Sequence, residues 1–129
     1  MAEINTIVTD DLTVKRFIGS LISDEIVSDM QAFYAVNPTK NVLWDLSKAS
    51  FQQLSSEHIR QFAKIIELRA HLRYGGKTAI YAPDDLQYGY CRMLLSFVEF
   101  RDLPIEMRLF RKLNEAIGWF GVDELINLD

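Results

Sequence analysis

Hydroxyl and carboxylate side chains crowd one segment of the chain, VLWDLSKASFQQLSSEHIR, running from Val42 to Arg60. Asp45, Ser47, Ser50, Ser55 and Ser56 all fall within it. Serines in such a setting can act as nucleophiles, accept phosphate or simply turn the chain. The nucleophile reading lacks its parts, because there is no Gly-x-Ser-x-Gly elbow and Cys91 has no flanking histidine. Asp84 and Asp85 suggest a metal, with Asp45 joining them only if strand ends converge. No nearby histidine or third carboxylate completes a ligand set. His58 and His71 lie thirteen positions apart on one helix-like stretch, so they cannot form an i, i+4 metal pair. The glycines at 75 and 76 precede Lys77 and an apolar strand-like run, without the first glycine or the following helix of a phosphate-binding loop. The expectation is no catalytic set, no metal and no cofactor.

The serines also have a plain structural use. A hydroxyl just before a helix accepts a hydrogen bond from a free backbone N–H, and losing such a cap costs about 1 kcal/mol. With Ser55 as the cap, Leu54 and Ile59 take the positions of a hydrophobic staple. A phosphate at this place would gain from the helix dipole but would meet the like charge of Glu57 in the first turn. Ser47 and Ser50 read as loop residues bonding to nearby backbone. Capping is therefore the expected role of Ser55.

The elements that must position these residues alternate along the chain. Ile4–Val8 and Leu12–Ile18 read as strands joined by a turn at Thr9–Asp11, with Gly19 closing the pair. Ser23 is expected to cap a helix whose apolar positions are Ile26, Val27, Met30, Phe33 and Tyr34, with Ile22 and Val27 as its staple. Pro38 ends it. Val42–Leu46 is a near-continuous apolar run, the pattern of a central strand covered on both faces, with Asp45 near its end. A helix over 56–73 follows, with Ile59, Phe62, Ala63, Ile66 and Ala70 inward. Lys77–Ala82 is a strand, and Asp84 with Gln87 has capping-box spacing before a helix facing inward through Leu86, Tyr90, Met93, Leu94 and Phe97. Ile105–Phe110 is the last strand and Leu113–Phe120 the last helix. The order ββαβαβαβα implies an α/β fold with a mostly parallel mixed sheet, since strands alternating with helices connect by right-handed crossovers. Trp44, Phe62, Phe97 and Trp119 could fill such a domain without a cavity.

At 129 residues the chain fits one domain, here placed at 1–121 with a C-terminal tail at 122–129. Hydrophobic residues make up 49% and charged residues 25%, enough for a core and too apolar for global disorder. A net charge of −4 argues against coating nucleic acid. No apolar run spans a bilayer, and the first residues lack a signal-peptide pattern, so the expected location is the cytoplasm. The single cysteine, Cys91, is expected to be buried apolar filler.

Three stretches carry a resemblance: NPTKNVLWDLSKASFQQLSSEHIR, RYGGKTAIYAPDDLQYGYCRM and IEMRLFRKLNEAIGWFG. Together with the order of elements, they make the chain similar to small bacterial SpoIIAA-like proteins, the STAS/Sec14-like group. The resemblance implies a STAS-like fold and a non-catalytic regulatory or protein-interaction domain. In STAS regulators a D-S-[ST]-G motif opens the helix after the central strand, and one of its serines is phosphorylated. Here Ser55-Ser56 occupies that place, with Leu54 where the motif has Asp and Glu57 where it has Gly.

The resemblance implies a protein partner, and homodimerisation is a second expectation from aromatic residues on the third helix, Tyr88, Tyr90 and Phe100. The looser likeness to Sec14-type folds implies a rival function, a carrier of a small apolar or lipid ligand. In parallel sheets, ligands and partners gather outside the C-terminal strand ends. That edge is expected to collect Ser20, Asp45, Ser47, Ser50, Ser55, Ser56, Asp84, Asp85 and Arg111.

Overall fold

The computed structural model describes residues 2–121. The tail expected at 122–129 lies outside the described residues. The elements follow the order β1 (Glu3–Val8), β2 (Leu12–Ser20), α1 (Ser23–Ala35), β3 (Asn41–Ser50), α2 (Ser56–Arg69), β4 (Lys77–Tyr81), α3 (Asp85–Glu99), β5 (Glu106–Phe110) and α4 (Leu113–Trp119). A short 3-10 turn over Ala70–Arg73 extends α2. The five strands lie in the order β1-β2-β3-β4-β5. β1 pairs antiparallel with β2, and every other pairing is parallel.

This order explains the layers. From β2 to β5 each crossover moves one place in the same direction, so right-handed connections set α1, α2 and α3 on one face of the sheet. The main core joins Ile26 and Met30 of α1, Ile59, Phe62 and Ile66 of α2 and Cys91, Leu94 and Val98 of α3 to the sheet. A smaller core on the other face joins Val14, Leu43 and Ala79 to Ala116 of α4. β3 has apolar residues on both faces, as its unbroken pattern implied: Leu46 faces the helices and Leu43 faces α4.

Several local expectations shift. The strand expected over Val42–Leu46 continues to Ser50, so Asp45 lies inside it and Ser47 and Ser50 are strand residues rather than loop residues. Pairing with β2 carries the extension through Ile18↔Lys48, Gly19↔Ala49 and Ser20↔Ser50. A bulge on β3 between Asp45 and Lys48 absorbs one extra residue. Ser23 is not the cap of α1. Ile22 takes the cap position without a side-chain bond, and Ser23 is the first helical residue. Leu21 is held back by its N–H bond to the Ser50 carbonyl, which starts the helix one residue early.

Arg73, which the sequence pattern did not single out, is 3% exposed. Its guanidinium donates to the carbonyls of Thr39, Lys40 and Lys77 and to the Thr78 hydroxyl. It thus ties together the chain entering β3 and the chain entering β4. Burial lowers its pKa, opposed by Tyr34, and burial raises the Tyr34 hydroxyl in turn. Beside this clamp, Gly76 meets the Lys40 carbonyl so closely that a Cβ would lie 1.9 Å from that oxygen.

Candidate functional site

The expected edge divides into separate groups. Asp45 is 3% exposed and points to the α4 face, since its neighbours Trp44 and Leu46 face the helices. Its carboxylate accepts from the Ser47 N–H at 3.0 Å and the Ser47 hydroxyl at 2.7 Å, and Arg16 lies 3.4 Å away. Arg16 stands opposite Asp45 on β2. The bulge turns Ser47 back onto the aspartate, so this carboxylate is satisfied locally and stays apart from Asp84 and Asp85.

A second group forms at the start of α3. Arg111 donates to Asp85 at 2.7 Å and to the Pro83 carbonyl at 3.2 Å, and its guanidinium lies 4.0 Å from the centre of the Tyr88 ring. Asp85 and Arg111 therefore do come together, as an exposed ion pair over an aromatic ring. Asp84 is the cap residue of α3 by position but makes no capping bond. The expected capping box fails because Gln87 is buried and donates its amide to the Ala49 carbonyl on the extended part of β3. Its Oε1 has no partner among the described residues.

The third group is the start of α2. Ser55 caps it as expected: its hydroxyl accepts from the His58 N–H at 3.4 Å. His58 closes a full capping box, its Nδ1 accepting from the Ser55 N–H at 3.1 Å. From spacing alone, His58 is excluded only from a metal pair with His71. Its place three residues after the cap, where Glu or Gln is usual, was the available signal. Leu54 and Ile59 are both buried in the main core, on either side of the cap. Ser56 and Glu57 are exposed beside it, with Glu57 3.9 Å from Arg60. Ser20 and Ser50 are register partners at the end of the β2–β3 pair.

Below the cap lies a feature the sequence reading did not expect. A cavity of about 70 Å³ lies between the sheet and the helices. Phe17, Val42, Trp44 and Leu46 form its floor, α1 supplies Ile26, Met30, Phe33 and Tyr34, and Leu54, Ile59, Phe62, Tyr90, Cys91 and Leu94 close the far side. Trp44, expected to fill the core, is only partly buried there. The Cys91 thiol is inert filler, and burial pushes its pKa up to about 12. The two charged residues on the wall are Lys15 and Asp29, paired at 3.0 Å.

No protein-family model and no curated relative matches the chain. Solved structures do. An anti-sigma factor antagonist from Mycobacterium paratuberculosis superposes with a TM-score of 0.63 at 16% identity, over 95% of this chain and 96% of its own. SpoIIAA, a Bacillus cell fate determinant solved in its phosphorylated form, gives 0.54 at 18%, over 92% and 99%. A DUF3478-family protein from Shewanella loihica, described as having a SpoIIAA-like fold, gives 0.55 at 18%, over 92% of each chain. The chain has the SpoIIAA-like fold. The agreement extends over nearly the whole length of both partners.

Within the SpoIIAA-like fold of this chain, the Ser55-Ser56 pair opens the helix that follows the central strand. The Ser55 hydroxyl is engaged by the cap, and Ser56 stands exposed beside it. Among the described residues, no cluster of three or more His, Cys, Asp or Glu side chains could hold a metal ion.

Proposed function

We propose that the chain is a non-catalytic regulatory or protein-interaction domain that meets another protein through the start of α2. The observation that carries this reading is the division of labour between two adjacent serines: Ser55 is committed to the cap, while Ser56 is exposed beside it and takes no part in the capping box. A modifying enzyme or a partner could reach Ser56 without dismantling the helix. The likeness to an anti-sigma factor antagonist and to phosphorylated SpoIIAA supports the reading by fold. The exposed Asp85–Arg111 pair lies on the next helix start and would border the same contact. No helix among the described residues is long and apolar enough to cross a membrane, and a cytoplasmic location fits this role.

The test replaces Ser55 and Ser56 together by Ala and by Asp, and uses each protein as bait in a pull-down from the native cytoplasm. A partner whose recovery differs between the Ala and Asp forms supports the reading. Identical recovery, or no partner with any form, removes the switch.

The cavity favours a second reading, a carrier of a small apolar ligand. Its lining is mostly apolar and aromatic side chains, the kind of surface that accepts nonpolar guests. Native mass spectrometry of freshly purified protein tests it, and a clean apo mass across several preparations counts against it.

A further inference from the structure

The sheet has two outer edges, β1 and β5, and they are guarded unequally. β5 carries exposed Glu106 and Arg108, charges of the kind that keep a second strand away. β1 has one charged residue, Glu3 at its start, with no proline, and its pairing with β2 runs without a bulge. Thr6, Ile7 and Val8 are exposed, Ile7 at 46% and Val8 at 63%. The hairpin bond from the Thr9 N–H to the Leu12 carbonyl, at 2.9 Å, sets which backbone groups of β1 are used. Hydrogen-bonded and open pairs alternate along antiparallel strands. Asn5 and Ile7 therefore turn their N–H and C=O groups towards β2, while Ile4, Thr6 and Val8 turn theirs outward. The same three residues carry their side chains to the helix side of the sheet, where Ile4 packs on the main core and Thr6 accepts from Lys15. The aromatic surface expected on α3 for homodimerisation is mostly engaged within the chain: Tyr90 donates to the Leu54 carbonyl and Tyr88 lies under Arg111.

We propose that β1 pairs antiparallel with β1 of a second copy of the chain, about a two-fold axis through Thr6, joining the two sheets into one. This contact is independent of the one at the start of α2. Two constraints choose its register. A two-fold axis perpendicular to the sheet keeps both helix layers on one side, so only residues of the same face can stand opposite each other. That excludes an axis between Asn5 and Thr6. Centring on Asn5 sets Glu3 against Ile7 of the other copy, and centring on Ile7 sets Ile4 against Asp10 and Glu3 against Asp11. Centring on Thr6 sets Ile4 against Val8, so each exposed Val8 gains an isoleucine neighbour, and Asn5 against Ile7. It also pairs the outward groups of Ile4, Thr6 and Val8 with one another, through about six hydrogen bonds. The contact consumes the same edge on both copies, so assembly closes at two. An edge this short makes a small interface, and the dimer forms in a concentration-dependent way.

The experiment combines sedimentation velocity of the unmodified chain over a concentration series with disulfide trapping of Thr6→Cys, Asn5→Cys and Ile7→Cys, each as a separate protein under mild oxidation. Cys91 is buried and does not compete. In the proposed register the two Thr6 Cα atoms lie about 5.5 Å apart, inside disulfide range, while Asn5 or Ile7 and its own copy lie about 8 Å apart on the diagonal, outside it. The expected result is a mass that rises with concentration to that of two chains, and cross-linking of Thr6→Cys about tenfold faster than of either neighbour. Val8→Lys, which sets an ammonium against Ile4 of the other copy, is expected to raise the concentration needed for the dimer by about tenfold with an unchanged circular dichroism spectrum. Thr6→Cys cross-linking no faster than Asn5→Cys or Ile7→Cys overturns the axis. A mass that stays at one chain or grows past two overturns the self-pairing, as does a dimer that Val8→Lys leaves intact. All four substituted positions are exposed, and the sedimentation of the unmodified chain decides the self-pairing even where a variant does not fold.

Discussion

Replacing Ser55 by Ala isolates the best-defined local interaction of the candidate site. The substitution removes the hydroxyl that accepts from the His58 N–H. It leaves the reverse bond, from the Ser55 N–H to His58 Nδ1, in place. A lost N-cap of this kind costs about 1 kcal/mol. Unfolding entropy near 60 °C is about 2.1 cal/mol/K per residue, so for this chain about 1 kcal/mol lowers Tm by about 4 °C. Ser55→Asp keeps a capping oxygen and adds a negative charge where the helix dipole favours one, so its Tm should match the unmodified protein within about 1 °C. His58→Gln restores the usual capping-box partner and should also be neutral. His58→Ala costs less than Ser55→Ala, about 0.5 kcal/mol, because the N–H it frees belongs to an exposed residue and is met by water.

The assay is differential scanning calorimetry or circular dichroism melting of the four variants under one buffer condition. Reciprocal bonds closing one ring should couple, so the Ser55→Ala/His58→Ala protein should lose measurably less or more than the sum of the single variants. An unchanged Tm in Ser55→Ala would sink the capping account. So would a loss in Ser55→Asp as large as in Ser55→Ala, since that would mean the hydroxyl acts through something an oxygen and a charge cannot replace.

Two further outcomes follow from the packing. Gly76→Ala drives a Cβ against the Lys40 carbonyl, a backbone atom already held by Arg73, and should destabilise the protein by about 3 kcal/mol or more; a Tm within a few degrees of the parent would show that the two backbones can part cheaply. Cys91, with its thiol pushed up to about 12, keeps its proton in the folded chain where the unfolded chain has released it at about 8.5. Its contribution is therefore complete below about pH 8.5 and is lost as pH rises toward about 12, at a slope approaching 1.4 kcal/mol per pH unit. Denaturant melts at about pH 9 and 10 should show a steeper fall for the parent than for Cys91→Ala, and equal slopes would refute the burial argument.

The elements were legible where periodicity alone decides the outcome. The inward stripe expected along this helix, Ile59, Phe62, Ala63 and Ile66 of α2 with Ala70 of the turn that extends it, is buried at every position. Legibility ended where a distant partner decides. Lys48, Ala49 and Ser50 have the composition of a loop, yet β2 holds them in the sheet by pairing. That extension then governs α3: Gln87 turns inward to reach the Ala49 carbonyl, and Gln87, Cys91, Leu94 and Val98 become the buried set while Leu86 is 56% exposed. Hydrophobic spacing placed Leu86 inside because it cannot register a polar contact to another strand. Arg73 escaped notice for the same reason, as four acceptors on two other chain segments are invisible to local pattern.

Of the candidate site, the sequence located the start of α2 and the Asp85–Arg111 pair, but it grouped them with Asp45, which the pleat sends to the opposite face. It missed the cavity because spacing shows which side chains face inward and not how far apart the covering helices stand. The cavity and the cap are nonetheless one piece of structure. Leu54 and Ile59, which bracket Ser55, are also cavity wall. Whatever loosens the first turn of α2 therefore disturbs the space beside Trp44, and whatever fills that space supports the turn. Any difference in guest affinity between two states of the Ser55-Ser56 pair must appear as an equal difference in how the guest shifts those states. The regulatory and carrier readings are thus linked by shared residues, and the Ser55→Ala protein is the one in which to measure both.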